Sequence, residues 1–443
     1  MKDKIASLIE NKKLDILKKE LEKMHCEDIA DLFEELTNEQ MIIAYRLLSK
    51  EKAGETFACL DPDKQEALIN AFTDNELSSI VNNLFMDDAV DLIEEMPSNV
   101  VKRILLNVNS DNRKIINELL NYPEDSAGSI MTTEFTDLKD FMTVEEALAR
   151  IKKIGTNKKI IYTCYVLDEK RRLIGTVSTK DLILAERDSL IKNIMITNLI
   201  TVNTLDDQED VSNKIQKYGF FAMPVVDSEN RLVGIITVDD AIDVIQEEVS
   251  EDFEKMAAIA PSKEEYFKMS VFKHTKSRIS WLIILMVSSI LTGVIITQYE
   301  DSFAILPILV AFIPLLMATA GNCGAQTSTL VIRGLALEEI KNKDIWRVLW
   351  KETIVSVLIG VILSILMGIA IVLRYNDIKL AVVVGLALIG TVAMAKVLGC
   401  ILPLIAKKLK IDPAVIATPL ITTIVDVLAV LLYFRIAVSI LNI

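Results

Sequence analysis

Hydrophobic positions change rhythm twice along this chain. Up to about residue 125 they recur at three- and four-residue spacing among Glu, Asp and Lys, the mark of amphipathic helices. Glu27-Asp28-Ile29-Ala30-Asp31-Leu32-Phe33-Glu34-Glu35-Leu36 is echoed by Asp87-Asp88-Ala89-Val90-Asp91-Leu92-Ile93-Glu94-Glu95-Met96, which predicts stacked helical hairpins in a small superhelix. Most of the acidic residues there read as a solvated face. Short apolar runs then take over. Tyr165-Val166-Leu167 and Leu173-Ile174-Gly175-Thr176-Val177-Ser178 flank a polar turn, and Pro224-Val225-Val226 with Leu232-Val233-Gly234-Ile235-Ile236-Thr237 repeats the pattern. Each copy predicts strand, turn, strand and a helix capped by Ser178 or Thr237.

In the last third the polar positions almost vanish. Residues 279–299, 302–332 and 353–373 contain no Asp, Glu, Lys or Arg, and 380–406 and 413–439 are broken only by Lys396, Asp426 and Arg435. A span needs about 20 apolar residues, so five transmembrane helices are predicted, the second long enough to tilt or be interrupted. Lys273, Lys276 and Arg278 precede the first span. Arg333, Lys341, Lys343, Arg347 and Lys351 separate the second and third, and Lys407, Lys408 and Lys410 the fourth and fifth. The opposite loops are short, one carrying Glu300 and Asp301. The basic bias predicts a multi-pass plasma-membrane protein with its N-terminus in the cytoplasm and its C-terminus outside. Ile345, Val348 and Leu349 beside Trp346 and Trp350 predict a helix lying in the interface plane. The Lys- and Glu-rich start lacks an apolar core segment, so a cytoplasmic region is expected first.

Charge divides at the same boundary. Residues 271–443 hold 15 Lys+Arg and 9 Asp+Glu, a net of +6; the remaining 33 and 53 give residues 1–270 a net of −20, summing to −14. So acidic a soluble half argues against nucleic acid as a partner. Five cysteines without CxxC spacing and two histidines argue against a zinc site or a disulfide framework. No nucleophile–base pair or phosphate loop is present, so no enzyme is expected.

Candidate chemistry concentrates in the last span. An ionised carboxylate at bilayer depth costs about 2.5 kcal/mol or more, so Asp426 marks an ion or proton path, or else a buried helix–helix contact. Pro419, Thr422, Thr423 and Asp426 fall on one helical face. That stripe of hydroxyls ending in a carboxylate is a plausible wall for a cation path. Gly321 and Gly324 permit either exposed carbonyls or close helix packing. Asp412 with Pro413 reads as a helix cap, which would put Asp412 and Asp426 about 21 Å apart on one helix. Lys396 has no evident role and is expected to face protein or to snorkel. Asp243 to Lys255 forms an acidic linker helix ahead of the membrane part, whose carboxylates a divalent cation could bridge.

Both repeats carry Gly-x-x-[Ser/Thr]-x-x-Asp (Gly175 to Asp181, Gly234 to Asp240) and resemble a tandem pair of CBS domains. In that family the Asp commonly bonds a nucleotide ribose; Asp181 and Asp240 could equally just hold the first helical turn. Along the whole chain the arrangement resembles the MgtE family of magnesium channels, most specifically at Gly321-Asn322-Cys323-Gly324-Ala325-Gln326-Thr327-Ser328 and at Asp412-Pro413-Ala414 with Pro419, Thr422, Thr423 and Asp426. The resemblance implies a multidomain membrane protein. It divides into an all-α superhelical N domain (1–126), an α/β CBS pair (127–190 and 191–247), a connecting plug helix (248–275) and a five-helix transmembrane domain (276–443). It implies a homodimer in the lipid bilayer, with a pore lined by Asp426, Asn322, Thr422, Thr423, Gly321, Gly324 and Gln326. Regulatory Mg²⁺ ligands map onto Asp125, Asp207, Glu209, Asp243, Glu251 and Asp412, and an ATP or other adenine-nucleotide pocket onto Lys180, Asp181, Phe220 and Asp240. Gly219 stands where a family acidic ligand can occur. The expected function is Mg²⁺ uptake closed by cytoplasmic Mg²⁺. The competing readings are a proton- or sodium-coupled cation transporter and a poreless nucleotide-sensing receptor.

Overall fold

The computed structural model describes residues 2–155, 158–262, 266–299, 306–337, 339–409, 411–416 and 418–441. Glu300, Asp301 and Lys410 lie outside them. The chain forms two compact units, Met1–Gln246 and Glu247–Ile443.

The first unit opens with short helices from Lys2–Glu10 to Ser110–Leu119, most of them eight to ten residues long. Helices this short are marginal alone, and each is held by an apolar face packed on its neighbours. Thr37 and Thr73 start two of them with capping boxes closed by Gln40 and Glu76. Phe33, Met41, Phe57, Leu68 and Ile69 are fully buried, each worth roughly 1.5–3 kcal/mol of burial. The same core continues into the second strand repeat through Val202, Val211, Met223, Val225 and Ile236.

Each strand repeat is a three-stranded sheet. Thr136–Lys139 pairs parallel with Thr163–Leu167, which pairs antiparallel with Leu173–Ser178. Val202–Asn203, Ala222–Val226 and Leu232–Thr237 repeat that order. The parallel pairs are crossed by Val144–Ile154 and Gln208–Tyr218, and Gly219 closes the latter at φ +65°, ψ 37°. That left-handed cap favours glycine, a local reason for Gly219 at a position where the family resemblance allows an acidic ligand. The helix after the second sheet, Val238–Met256, runs unbroken and includes the acidic stretch from Asp243 to Lys255.

Among the described residues the second unit contains five helices long and apolar enough to cross a membrane: Val271–Thr297, Pro307–Ala336, Ile345–Tyr375, Ile378–Lys408 and Pro413–Leu441. The second begins as a 3-10 turn, Pro307–Phe312, before the α-helix Ile313–Ala336. Spans three and four are joined through Asn376 (φ 52°) and Asp377, whose carboxylate accepts from the Leu380 N–H at 3.1 Å. Two expectations are corrected here. The Trp346–Trp350 segment is the first turns of span three, not a separate interfacial helix; Ile345, Val348 and Leu349 pack on Val331, Leu335, Cys400 and Leu404 while both indoles stay exposed. Asp412 caps a 3-10 turn, Pro413–Ile416, ahead of a helix starting at Thr418, so the distance along one continuous helix does not apply.

Candidate ion path and acidic clusters

Spans two, four and five meet where glycines remove side chains. A Cβ on Gly321 would lie 3.2 Å from Thr422 Cγ2 and 3.9 Å from Asp426 Oδ1. On Gly324 it would lie 2.9 Å from Ile421 Cγ2 and 3.5 Å from the Ala395 carbonyl, and on Gly399 only 2.4 Å from the Gly324 carbonyl. These glycines therefore serve close helix approach, and through Gly321 the second span reaches the Asp426 face of the fifth. Thr422 and Thr423 both donate to the Pro419 carbonyl, at 2.9 and 2.8 Å, leaving their oxygens as acceptors. Asp426 is half-buried. On span two, Asn322, Gln326, Thr329 and Arg333 are exposed at helical spacing, while Ala320, Cys323, Gly324, Thr327 and Ser328 are buried. One face of this helix packs and the other presents polar groups. Asp426 and the Thr422 and Thr423 hydroxyls belong to span five and offer only oxygen, a set suited to a hydrated hard cation. Among the described residues no group of three or more His, Cys, Asp or Glu is gathered to hold a metal ion.

The proposed regulatory ligands fall into three places. Asp125, at φ 58°, accepts at its carbonyl from the Gln208 N–H (2.9 Å) and at its carboxylate from Gln208 Nε2 (3.2 Å). Asp207 caps the following helix by accepting from the Glu209 N–H at 2.9 Å, so Asp125, Asp207 and Glu209 share one corner. Asp243 lies two turns before Glu251 on the linker helix. Glu251 and Asp412 each lie 2.7 Å from Lys255 Nζ, which bridges the linker helix to the start of span five. Burial works against the Lys255 ammonium, but Asp412 and Glu251 outweigh it and hold the group charged far above the usual lysine range. Burial, then the Asp412 charge, pushes the neighbouring Asp252 carboxyl up.

In the nucleotide set, Ser178 Oγ donates to Asp181 Oδ2 at 2.6 Å, and Thr237 Oγ1 bonds the Asp240 carboxylate. Each Asp thus braces its own helix start. Lys180 and Asp181 are exposed, and Phe220 stacks on Tyr218 with ring centroids 5.6 Å apart. Among the described residues no hydrogen bond or ring contact joins Phe220 to Lys180 or Asp181. Exposed Tyr162 and Phe221 face each other at 6.2 Å, and their carbonyls accept from Thr179 and Val238 at the two helix starts. Sequence reasoning missed this pair, although their matching spacing from Asp181 and Asp240 carried the signal.

The largest departure from the sequence reading lies at Lys159. Its Nζ sits 2.7 Å from Asp87 Oδ2, 3.6 Å from Asp88 Oδ1 and 3.9 Å from Asp240 Oδ1, and 5.3 Å from the Phe85 ring centroid. The acidic start of helix Met86–Glu95 was expected to be solvated, yet Asp87 is buried. Burial, then the Asp87 charge, raises Asp88 to about 6 and Asp91 to about 7. Burial also raises Asp240 to about 6, against the opposing pull of Lys159. Packing against the strand repeats, not sequence, turns one echoed motif inward: Glu27 and Asp28 remain exposed.

The divalent cation transporter family model matches residues 313–436, the MgtE intracellular N domain residues 24–125, and CBS domains residues 127–188 and 191–247. The chain is 33% identical to the magnesium transporter MgtE of Bacillus subtilis (strain 168) over 99% of its own length and 97% of that protein's. It is 34% identical to the protein of that name from Thermus thermophilus, covering 95% and 94% of the two chains. A crystal structure of the soluble part of a magnesium transporter aligns with a TM-score of 0.53 at 30% identity, over 56% of this chain and 97% of that one. The cytosolic domain of the Mg²⁺ channel MgtE in complex with ATP aligns at 0.52 and 33% identity, over 55% and 100%. With homologues matched almost end to end, a CBS pair and five apolar helices, this multi-pass membrane protein belongs to the MgtE family.

Proposed function

We propose that this chain conducts Mg²⁺ into the cell along a path lined by spans two and five. The observation that carries this reading is Asp426, a half-buried carboxylate on the face that meets Gly321, with the Thr422 hydroxyl one turn before it on the same helix. Asp426 attracts the hydrated dication, and Thr422, Thr423, Asn322 and Gln326 receive its water protons, so the ion passes without full dehydration. The relatives named as magnesium transporters support Mg²⁺ as the cargo.

In this reading two copies face each other across the path, and the N-terminal side of span one is cytoplasmic. Residues 1–126, 127–190, 191–247, 248–275 and 276–443 act as N domain, two CBS repeats, linker and membrane domain. Cytoplasmic Mg²⁺ closes the path by neutralising Asp125, Asp207, Glu209, Asp243, Glu251 and Asp412, whose like charges otherwise separate the parts. An adenine nucleotide at the CBS pair tunes that response, a reading supported by the related ATP complex.

The test is Mg²⁺ entry into proteoliposomes containing an internal indicator, comparing the native chain with Asp426→Ala. Native uptake that is lost, or loses discrimination between cations, in the variant supports the path. Equal uptake by both moves the filter elsewhere. Uptake that needs a proton or Na⁺ gradient favours a coupled transporter.

A further inference from the structure

Lys396 and Glu352 are charged groups inside the membrane-spanning helices that the proposed path does not use. Lys396 lies twelve residues before the end of span four, about 18 Å at helical rise, too deep for its side chain to snorkel out. It is 3% exposed. Its Nζ lies 3.0 Å from Thr327 Oγ1 on span two and 3.3 Å from Glu352 Oε2 on span three. Thr327 in turn donates to Glu352 Oε2 at 3.0 Å, closing a triangle among three helices. The hydroxyl accepts from the ammonium and gives its proton to the carboxylate, so its rotor has one setting.

This triangle grips span two at a telling place. Thr327 is three residues beyond Gly324 and on the same face, and Gly324 is wedged between Ala395 and Gly399 of span four and Ile421 of span five. Two contacts one turn apart fix the helix's rotation about its own axis. Asn322, Gln326 and Thr329 are on the exposed side. Adhesion alone would be served as well by packed apolar side chains, which carry no desolvation cost. Directional ionic hydrogen bonds add orientation.

We infer that Lys396 and Glu352 are positioning residues that, through Thr327, set the rotation of span two and so present Asn322 and Gln326 to the permeating ion. The ion-path half of this inference rests on the function proposed above; the rotation half does not. Two readouts separate them. The first is the ratio of Mg²⁺ to Ca²⁺ entry into proteoliposomes for the native chain, Lys396→Met, Glu352→Gln, Thr327→Val and the double variant Lys396→Met/Glu352→Leu. Single variants should lower the ratio about tenfold, the double variant should stay low because it restores packing without the directional bonds, and the conservative Lys396→Arg should hold it near native. The second readout is labelling of Thr329→Cys by a charged thiol reagent, followed by peptide mass in the full chain with and without Lys396→Met; its rate should change about tenfold as the helix turns. Unmoved labelling and an unmoved ratio, with only yield or melting temperature reduced, would make the triangle a plain structural tie and overturn the inference. Shifted labelling in chains that never conduct Mg²⁺ would uphold the rotation and sink the path. If Lys396→Met does not fold, Thr327→Val and Lys396→Arg decide the question by the same readouts.

Discussion

Replacing Lys159 with Met tests whether the buried acidic cluster is held together by one ammonium. Lys159 is charge partner to Asp87, Asp88 and Asp240, and its side chain and that of Asp87 are only 13% and 6% exposed. Removing one member of a buried ion pair costs about 3–5 kcal/mol, because the partner's charge stays behind uncompensated. The loss should depend on pH, and its sign follows from the raised carboxyls. Asp88 and Asp240 at about 6 and Asp91 at about 7 hold protons in the folded state that the unfolded chain, near 3.8, has released. Stability from these groups therefore falls as pH rises from about 4 to 7, and their penalty is complete above that window. The two-unit shift of Asp240 alone corresponds to about 3 kcal/mol. Without Lys159 the Asp88 and Asp240 carboxyls titrate higher still, so the variant should be far worse at pH 8 than at pH 5.5. Hydrogen exchange of the intact chain, expressed as protection factors in helix Met86–Glu95, measures this directly. At pH 8 protection should drop by about a hundredfold or more, and at pH 5.5 by much less. Unchanged protection, or an equal loss at both pH values, would refute the claim that Lys159 holds this cluster.

Further expectations concern the membrane unit. Gly399→Ala sets a methyl 2.4 Å from a backbone carbonyl that cannot swing aside, so it should destabilise by about 1–3 kcal/mol in detergent thermal inactivation. Gly368→Ala, whose added carbon meets nothing within 4 Å, should be neutral or slightly stabilising in the same assay. Lys255→Met removes the ammonium between Glu251 and Asp412. A divalent cation would then face no tethered competitor, and the Mg²⁺ concentration that half-protects the chain from chymotrypsin should fall several-fold; an unchanged or higher midpoint would count against Mg²⁺ binding there.

The sequence made local patterns legible and left long-range environments hidden. Span placement followed from uninterrupted apolar length, and the paired sheets from repeated strand–turn–strand runs, because both signals lie within a few residues. Asp426 stood out for the same reason: a carboxylate in an apolar run announces its cost. Element ends were less legible. Nothing in Ile345-Trp346-Arg347-Val348 distinguishes an interfacial helix from the first turn of a span; the choice came from packing on Val331, Leu335 and Leu404. Lys396 could not be placed from sequence because its partner Glu352 was counted with the loop before span three, 44 residues away.

Lys159, Lys255 and Lys396 share this property. Their nearest carboxylates from other elements stand 72, 157 and 44 residues away in sequence. Each ammonium sits where two or more elements bring carboxylate or hydroxyl oxygens together, and without it those oxygens would face one another at low exposure. The echoed acidic helices show why a repeat cannot reveal this. Asp28 and Asp88 occupy equivalent positions on helices of the same length, but only the second helix meets Lys159 and Asp240. One residue type is solvated in the first copy and has its carboxyl raised to about 6 in the second. The repeat supplies the helix; the lysine from a different element decides whether its acidic end stays in water or becomes an interface, and such an interface responds to whatever cation, tethered or free, neutralises it.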